Sequence, residues 1–369
     1  MNKDILKRLS RIVLPMVVLL GIIMGSSLVK VNHIKADTNI IYVRAKVVSV
    51  SKDNSEVEEF GGNQKVYATI LNGRYKGESC ELHNSNTYQR GAFCQAGTRI
   101  IAMVQMDSLG KLTGTVYNYD RTPMIYCLAV LFSVCLLTVG GRKGLASLYA
   151  LVFTFICVIC MYIPLLYVGM NGTLAAILTA VLISIISIYI LNGWSKKTAC
   201  AIVGTACGVM ISGILAMIAG KMSHLSGYNM QDVESMVFIA NSSRLKISDI
   251  IYAGILISSL GAVMDVGVSV VAAMKEIQDK SPGIKRRELF FSGMRVGHDM
   301  MGTMSNTLIL AYTGSATGVL LTVYSFQMPF LQVMGYNSII IEIVCGLCGT
   351  IGVILTVPIQ ALTAALVLK

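Results

Sequence analysis

The sequence predicts an α-helical polytopic membrane protein of about eight transmembrane helices, with a small all-β domain after the first helix. Three observations predict it. Only 13% of the 369 residues are charged and 54% are hydrophobic, whereas a soluble domain averages about 25% charged. Apolar runs of about 20 residues recur, the length a helix needs to cross a bilayer. One polar stretch, residues 31–122, interrupts them with short alternating segments. The net charge of +11 does not point to nucleic acid, because the basic residues cluster beside apolar runs, where they set orientation.

The first run, residues 12–29, follows Lys3, Lys7, Arg8 and Arg11. It is longer than a usual signal core and no clear small-x-small site directly follows it, so an uncleaved anchor is expected; Ser26 and Ser27 are the features that favour cleavage. Spans are expected near 11–30, 123–140, 145–164, 172–191, 199–220, 250–273, 301–324 and 338–367. With the N-terminus inside, the cytoplasmic loops hold Arg142 and Lys143, Lys196 and Lys197, and a long basic loop with Lys275, Lys280, Lys285, Arg286, Arg287 and Arg295. The opposite loops between spans hold only Lys221, Arg244 and Lys246. This asymmetry predicts a cell-membrane protein with both termini cytoplasmic and residues 31–122 extracytoplasmic. Trp194 beside Lys196 suits the lipid–water boundary.

Domain boundaries follow: 1–30 as N-terminus and anchor, 31–122 as β domain, 123–369 as a seven-helix transmembrane domain. The β domain shows alternating segments "IIYVRAKVVSV", "QKVYATIL", "ESCELH", "RIIAMVQM" and "LTGTVYNY", separated by Gly- and Asn-rich breaks. A barrel or sandwich is expected, with an OB-like barrel as one candidate; such a fold does not by itself imply a nucleic-acid ligand. Cys80 and Cys94 are its only cysteines, and in an oxidising compartment they would be either a disulfide or core thiols. Cys157/Cys160 and Cys345/Cys348 have C-x-x-C spacing. Without polar ligands beside them, helix packing is the expected role and no metal or other cofactor is assigned.

Two spans carry polar stripes. In residues 295–314, "RVGHDMMGTMSNTLILAYTG", helical winding puts Asp299, Gly302, Thr303, Asn306, Leu310 and Thr313 on one face and Met300, Met301, Met304 and Leu308 on another. In the preceding span Ser258, Ala262, Asp265, Ser269 and Ala272 recur at helical spacing, with Gly261 alongside. A charged aspartate at mid-membrane costs about 2.5–3.5 kcal/mol on insertion scales. Counted from Lys275 and Arg295, Asp265 and Asn306 lie roughly 15 and 16 Å deep, and Asp299 about 6 Å. If the two helices pack, Asp265, Thr303 and Asn306 are therefore expected to surround one buried polar pocket, with Asp299 and His298 at its inner mouth. Asp265 is the candidate counter-ion or proton carrier. The hydroxyls of Thr303, Ser305 and Thr307 are expected to bond back to their own helix. His298 is read as interfacial rather than as a proton relay. Glu342 is read as interfacial too, and "IKRRELFFSGM" as either an interfacial helix or an ordinary basic loop.

The M-D pair Met264–Asp265, the pattern G-x-D-x-M-G-T-M-x-N-T-L-I-L-A-Y from Gly297 to Tyr312 and the spacing between them resemble the YibE/F-like family of bacterial multi-span membrane proteins. The resemblance covers residues 123–369 and implies a longer, YibE-type member with an extra domain after its first span. It also implies a related membrane protein as partner, and it supplies no catalytic residues. In the family pattern an arginine is expected where this chain has His298, which speaks against an essential proton relay there.

The expected function is a subunit of a transporter or permease of undefined small-molecule or ion substrate, working in the lipid bilayer with a second YibE/F-like protein or with itself. The alternative is a non-transporting envelope scaffold or sensor that binds a partner through its β domain. An enzyme is not expected: no G-x-x-x-x-G-K-[ST] loop, H-E-x-x-H, D-[ST]-G or G-x-G-D signature is present.

Overall fold

The computed structural model describes residues 3–29, 40–52, 62–86, 92–106, 111–225, 233–242 and 247–368. Arg244 and Lys246, which enter the charge asymmetry above, lie outside them. The chain divides into two compact units, residues 33–135 and residues 1–32 with 136–369.

The smaller unit is a closed five-stranded barrel of β1 (Ile41–Lys52), β2 (Gly62–Ile70), β3 (Ser79–Asn86), β4 (Arg99–Met106) and β5 (Leu112–Tyr119). Strand order is β1-β2-β3-β5-β4, antiparallel except for the β3–β5 pair, an OB-like arrangement. Alternation closes it: Val43, Ala45 and Val47 point inward with Val66, Ala68, Ile70, Leu82, Ile100, Ala102 and Val104. Gly114 lets β5 lie against β4, since a Cβ there would strike the Met103 carbonyl. Lys111 Nζ binds Glu81 Oε2 at 3.0 Å, and this hydrogen bond and charge hold the Glu81 carboxyl below its usual range.

Cys80 and Cys94 are free, buried thiols, and the disulfide alternative is corrected on register. Cys80 pairs with Ala68, and its Sγ lies 3.4 Å from the Ala68 carbonyl. Cys94 sits at the Gln64–Asn84 level, its backbone N–H donating to Gln64 Oε1 at 3.2 Å. Four strand residues separate the two levels, roughly 13 Å at strand rise, beyond the reach of an S–S bond. Burial pushes both thiols up to about 11. Since the thiolate is the nucleophile, both stay protonated until pH approaches that value. Iodoacetamide at pH 8 is expected to label them roughly 100-fold more slowly in the folded protein than after denaturation, as followed by mass spectrometry; equal rates would contradict the buried barrel core.

The larger unit is helical. It begins with α1 (Lys3–Leu28). Next comes α2 (Thr122–Cys157), which opens in the barrel unit, then a π turn (Val158–Tyr162) and α3 (Ile163–Tyr167). The rest is α4 (Gly172–Asn192), α5 (Lys196–Met222), α6 (Val233–Ser242), α7 (Ile247–Lys280), α8 (Arg286–Ser315), α9 (Thr317–Ser325), α10 (Phe330–Met334) and α11 (Asn337–Val367). Caps fix the starts. Asn171 Oδ1 accepts from the N–H groups of Thr173 (3.1 Å) and Leu174 (3.2 Å), Asp249 Oδ2 accepts from Gly172 N–H at 2.9 Å, and Ser195 Oγ accepts from Thr198 N–H at 3.1 Å.

Among the described residues, five helical segments are long and apolar enough to cross a membrane, or six if the bent pair α8–α9 counts as one span. Expected spans 172–191, 199–220, 250–273 and 338–367 coincide with α4, α5, α7 and α11. The expected pair 123–140 and 145–164 forms one candidate, Thr122–Tyr167, broken at Gly141 (φ 51°, ψ −127°). The expected span 301–324 is α8 and α9, bent by 63°. In the first helix the apolar stretch is only Val13–Ser27.

α5, α7 and α11 pack through glycines, as small residues allow between membrane helices. A Cβ at Gly204 would strike the Gln360 amide, one at Gly208 the Thr356 hydroxyl, and one at Gly220 the Tyr252 ring. Cys345 and Cys348 are buried at this packing, and the Cys348 carbonyl accepts from Ser212 Oγ at 3.2 Å.

Candidate functional site

α8 lies against α7 and α11 along the edge Leu289, Gly293, Gly297, Met300, Met301, Met304, Leu308 and Tyr312. Glycine makes the close approach: a Cβ on Gly293 would strike Met274 of α7, and one on Gly297 would strike Val357 of α11. Farther along, the Tyr312 hydroxyl hydrogen-bonds Ser258 Oγ of α7. "IKRRELFFSGM" is continuous with this helix rather than a separate interfacial one; α8 starts at Arg286, with Glu288 accepting from Lys285 N–H at 3.4 Å and Arg287 over the Phe291 ring at 5.7 Å.

The two contacts between α7 and α8 set the depth of Asp265. It lies nine residues from Met274 and seven from Ser258. By proportion along the facing stretch Gly293–Tyr312 it is level with about residue 304. The two polar spans are thus neighbours, with Asp265 at the level of Thr303 and Asn306.

Orientation is where the expected arrangement changes. The methionines of α8 occupy the packed side. Asp299, Gly302, Thr303, Asn306, Leu310 and Thr313 are all exposed, and all but Thr313 point away from α7 and α11. On α7, Gly254, Ser258, Gly261 and Asp265 share an exposed face at spacings of three and four, while Ser269 is half-buried and His298 of α8 is exposed. A Cβ at Gly254, Gly261 or Gly302 would meet open space. These groups line an open surface of the helical unit rather than an enclosed pocket. Along it, Thr303 Oγ1 donates to the Asp299 carbonyl and Thr307 Oγ1 to the Thr303 carbonyl, both at 2.9 Å. Ser305 does not follow this pattern: its buried hydroxyl finds no hydrogen-bond partner.

Farther along α8 a cavity of about 260 Å³ opens between it and α11, lined by Ile309, Tyr312, Thr313, Leu320, Glu342 and Gly346. Glu342 is half-buried there. Sequence reasoning also passed over Gln360. It is fully buried, and its Nε2 donates to the Ala201 carbonyl of α5 at 2.9 Å. Its Oε1 and the buried Thr205 hydroxyl find no partner. A lone amide within the apolar "VPIQALTAALV" was the available signal.

Apolar helices of spanning length joined to a β-barrel unit, with a polar surface on two packed helices, define a polytopic membrane protein. Within that class, the family model described as YibE/F-like protein matches residues 128–369. The chain belongs to the YibE/F-like family. No curated protein and no solved structure matches it.

Proposed function

We propose that this chain is a subunit of a membrane transport assembly for a small solute or ion. In this reading Asp265 and the α8 face of Asp299, Thr303 and Asn306 line one wall of the pathway. A second membrane protein, either another copy or a related family member, supplies the opposite wall. The chain does no covalent chemistry of its own. It resides in the cell membrane with both termini cytoplasmic and the barrel outside.

The observation that carries this reading is the exposure of Asp265 at the level of the α8 polar face. A carboxylate facing hydrocarbon is costly, and intramembrane acids line water-filled paths or meet partners. An open polar wall on two packed helices fits an incomplete pathway better than it fits a finished structural bundle, whose polar groups would be turned inward.

The test is flux in proteoliposomes holding the chain with a co-purified family member, screened for proton- and cation-coupled uptake. Asp265→Asn is expected to lower flux by at least ten-fold at unchanged protein level, with Asp265→Glu retaining part of it. Full flux in Asp265→Asn removes the pathway reading. The scaffold alternative draws on a cavity of about 320 Å³ on β2 and β3, lined by Asn63, Gln64, Lys65, His83, Asn84 and Ser85. It gains if a chain lacking residues 40–118 loses activity while Asp265→Asn keeps it.

A further inference from the structure

The helical unit holds a second cavity, of about 750 Å³, lined by Arg11, Arg142 and Lys143 together with Leu145, Tyr149 and Ile190. No acidic side chain lines it among the described residues. The three cations are exposed and make no ion pair among the described residues.

Three local features bring them there. Gly141, with its positive φ of 51°, breaks α2 so that the second helical segment restarts at Arg142 and Lys143. Gly144 then lies against the Leu136 carbonyl, where any Cβ would clash. Arg11 of α1 is held at the end of α4: its Nη2 donates to the Asn192 carbonyl at 3.4 Å, and its guanidinium lies over Gly193, again at a place where a Cβ would clash. One turn away the Tyr189 hydroxyl donates to Ser10 Oγ at 3.0 Å. Trp194, 80% exposed, packs edge-on against Tyr189 at 5.9 Å, and exposed indoles of membrane helices mark the headgroup level.

We propose that this cavity binds the anionic head of a phosphorylated amphiphile, an acidic membrane phospholipid. The phosphate sits among Arg11, Arg142 and Lys143, and the acyl chains run along Leu145, Tyr149 and Ile190. Two guanidiniums and an ammonium are donors matched to phosphate oxygens, and basic cavities between membrane helices are headgroup sites in general. Apolar walls beside the charges favour an amphiphile over a free anion. The proposal is independent of the transport reading.

The full chain in lipid nanodiscs, analysed by native mass spectrometry, provides the test. Wild type is expected to retain phosphatidylglycerol over phosphatidylcholine. The Arg142→Ala/Lys143→Ala double variant is expected to retain it roughly ten-fold less, with Arg11→Gln, on a separate helix, lowering it as well. Lys196→Ala/Lys197→Ala removes equal charge outside the cavity and is expected to change nothing. Equal loss in both double variants would mean diffuse attraction to a charged surface and overturn the site. So would the absence of any lipid preference in wild type. Inorganic phosphate alone binding wild type as tightly as the lipid would overturn the amphiphile assignment, and this arm depends on no variant folding.

Discussion

Gly208→Leu is expected to destabilise the helical unit by about 3 kcal/mol, the upper end for overpacking a tight interior. Gly208 is buried on α5, where an added Cβ would collide with Thr356 of α11 and come within 2.9 Å of Val263 Cγ1 on α7. Three helices meet there, so none can retreat without losing its other partner, and membrane helices held by close van der Waals contact lose that contact steeply with separation. Thermal unfolding of the detergent-solubilised chain should show a clear drop in midpoint. Gly261→Ala on α7, which meets open space, is the matched control and should hold or slightly raise the midpoint, because alanine is the better helix former. A leucine at 208 that melts with the wild type would show that α5 and α11 do not pack as described.

Gly297→Leu is expected to lift α8 from α11, at a cost of roughly 2–3 kcal/mol, because its side chain would occupy the place of Val357. Packing and the candidate site are coupled here. The same helix that packs through Gly293 and Gly297 carries Asp299, Thr303 and Asn306 on its other side. A displaced α8 should make a cysteine placed at Met304 label faster with a membrane-permeant maleimide. Gly302→Leu, one turn on but over open space, should leave unfolding in detergent almost unchanged. If Gly302→Leu destabilises more than Gly297→Leu, the assignment of packed and open faces is reversed.

Much of the architecture could be read from local pattern. Period-two alternation located β1 to β5 because each strand buries alternate residues in one small core, as Val43, Ala45 and Val47 do. Runs of apolar residues located α4, α5, α7 and α11 for the same kind of reason: a bilayer imposes a length. The motif around Gly297–Tyr312 identified the family. Other features left no local mark. The parallel β3–β5 pairing that closes the barrel joins distant segments, and the separation of Cys80 from Cys94 follows from the β2–β3 register and the seating of Cys94 on Gln64. Gln360 left only the mark of a lone amide in an apolar run; that it donates to the Ala201 carbonyl of α5 depends on how α11 packs.

By itself the sequence determined the apolar helices α4, α5, α7 and α11, though not the number of spans, together with the barrel strands, the family and the identity of the polar stripe on α8, because each depends on periodicity or on an ordered motif within one segment. Only the tertiary structure decided which face of α8 is covered. Periodicity separates the methionine face from the Asp299–Asn306 face, but it cannot say which of them meets α7 and α11. Glycine contacts at Gly293 and Gly297 chose the methionine side, and that choice turned Asp299, Thr303 and Asn306 outward onto an open wall.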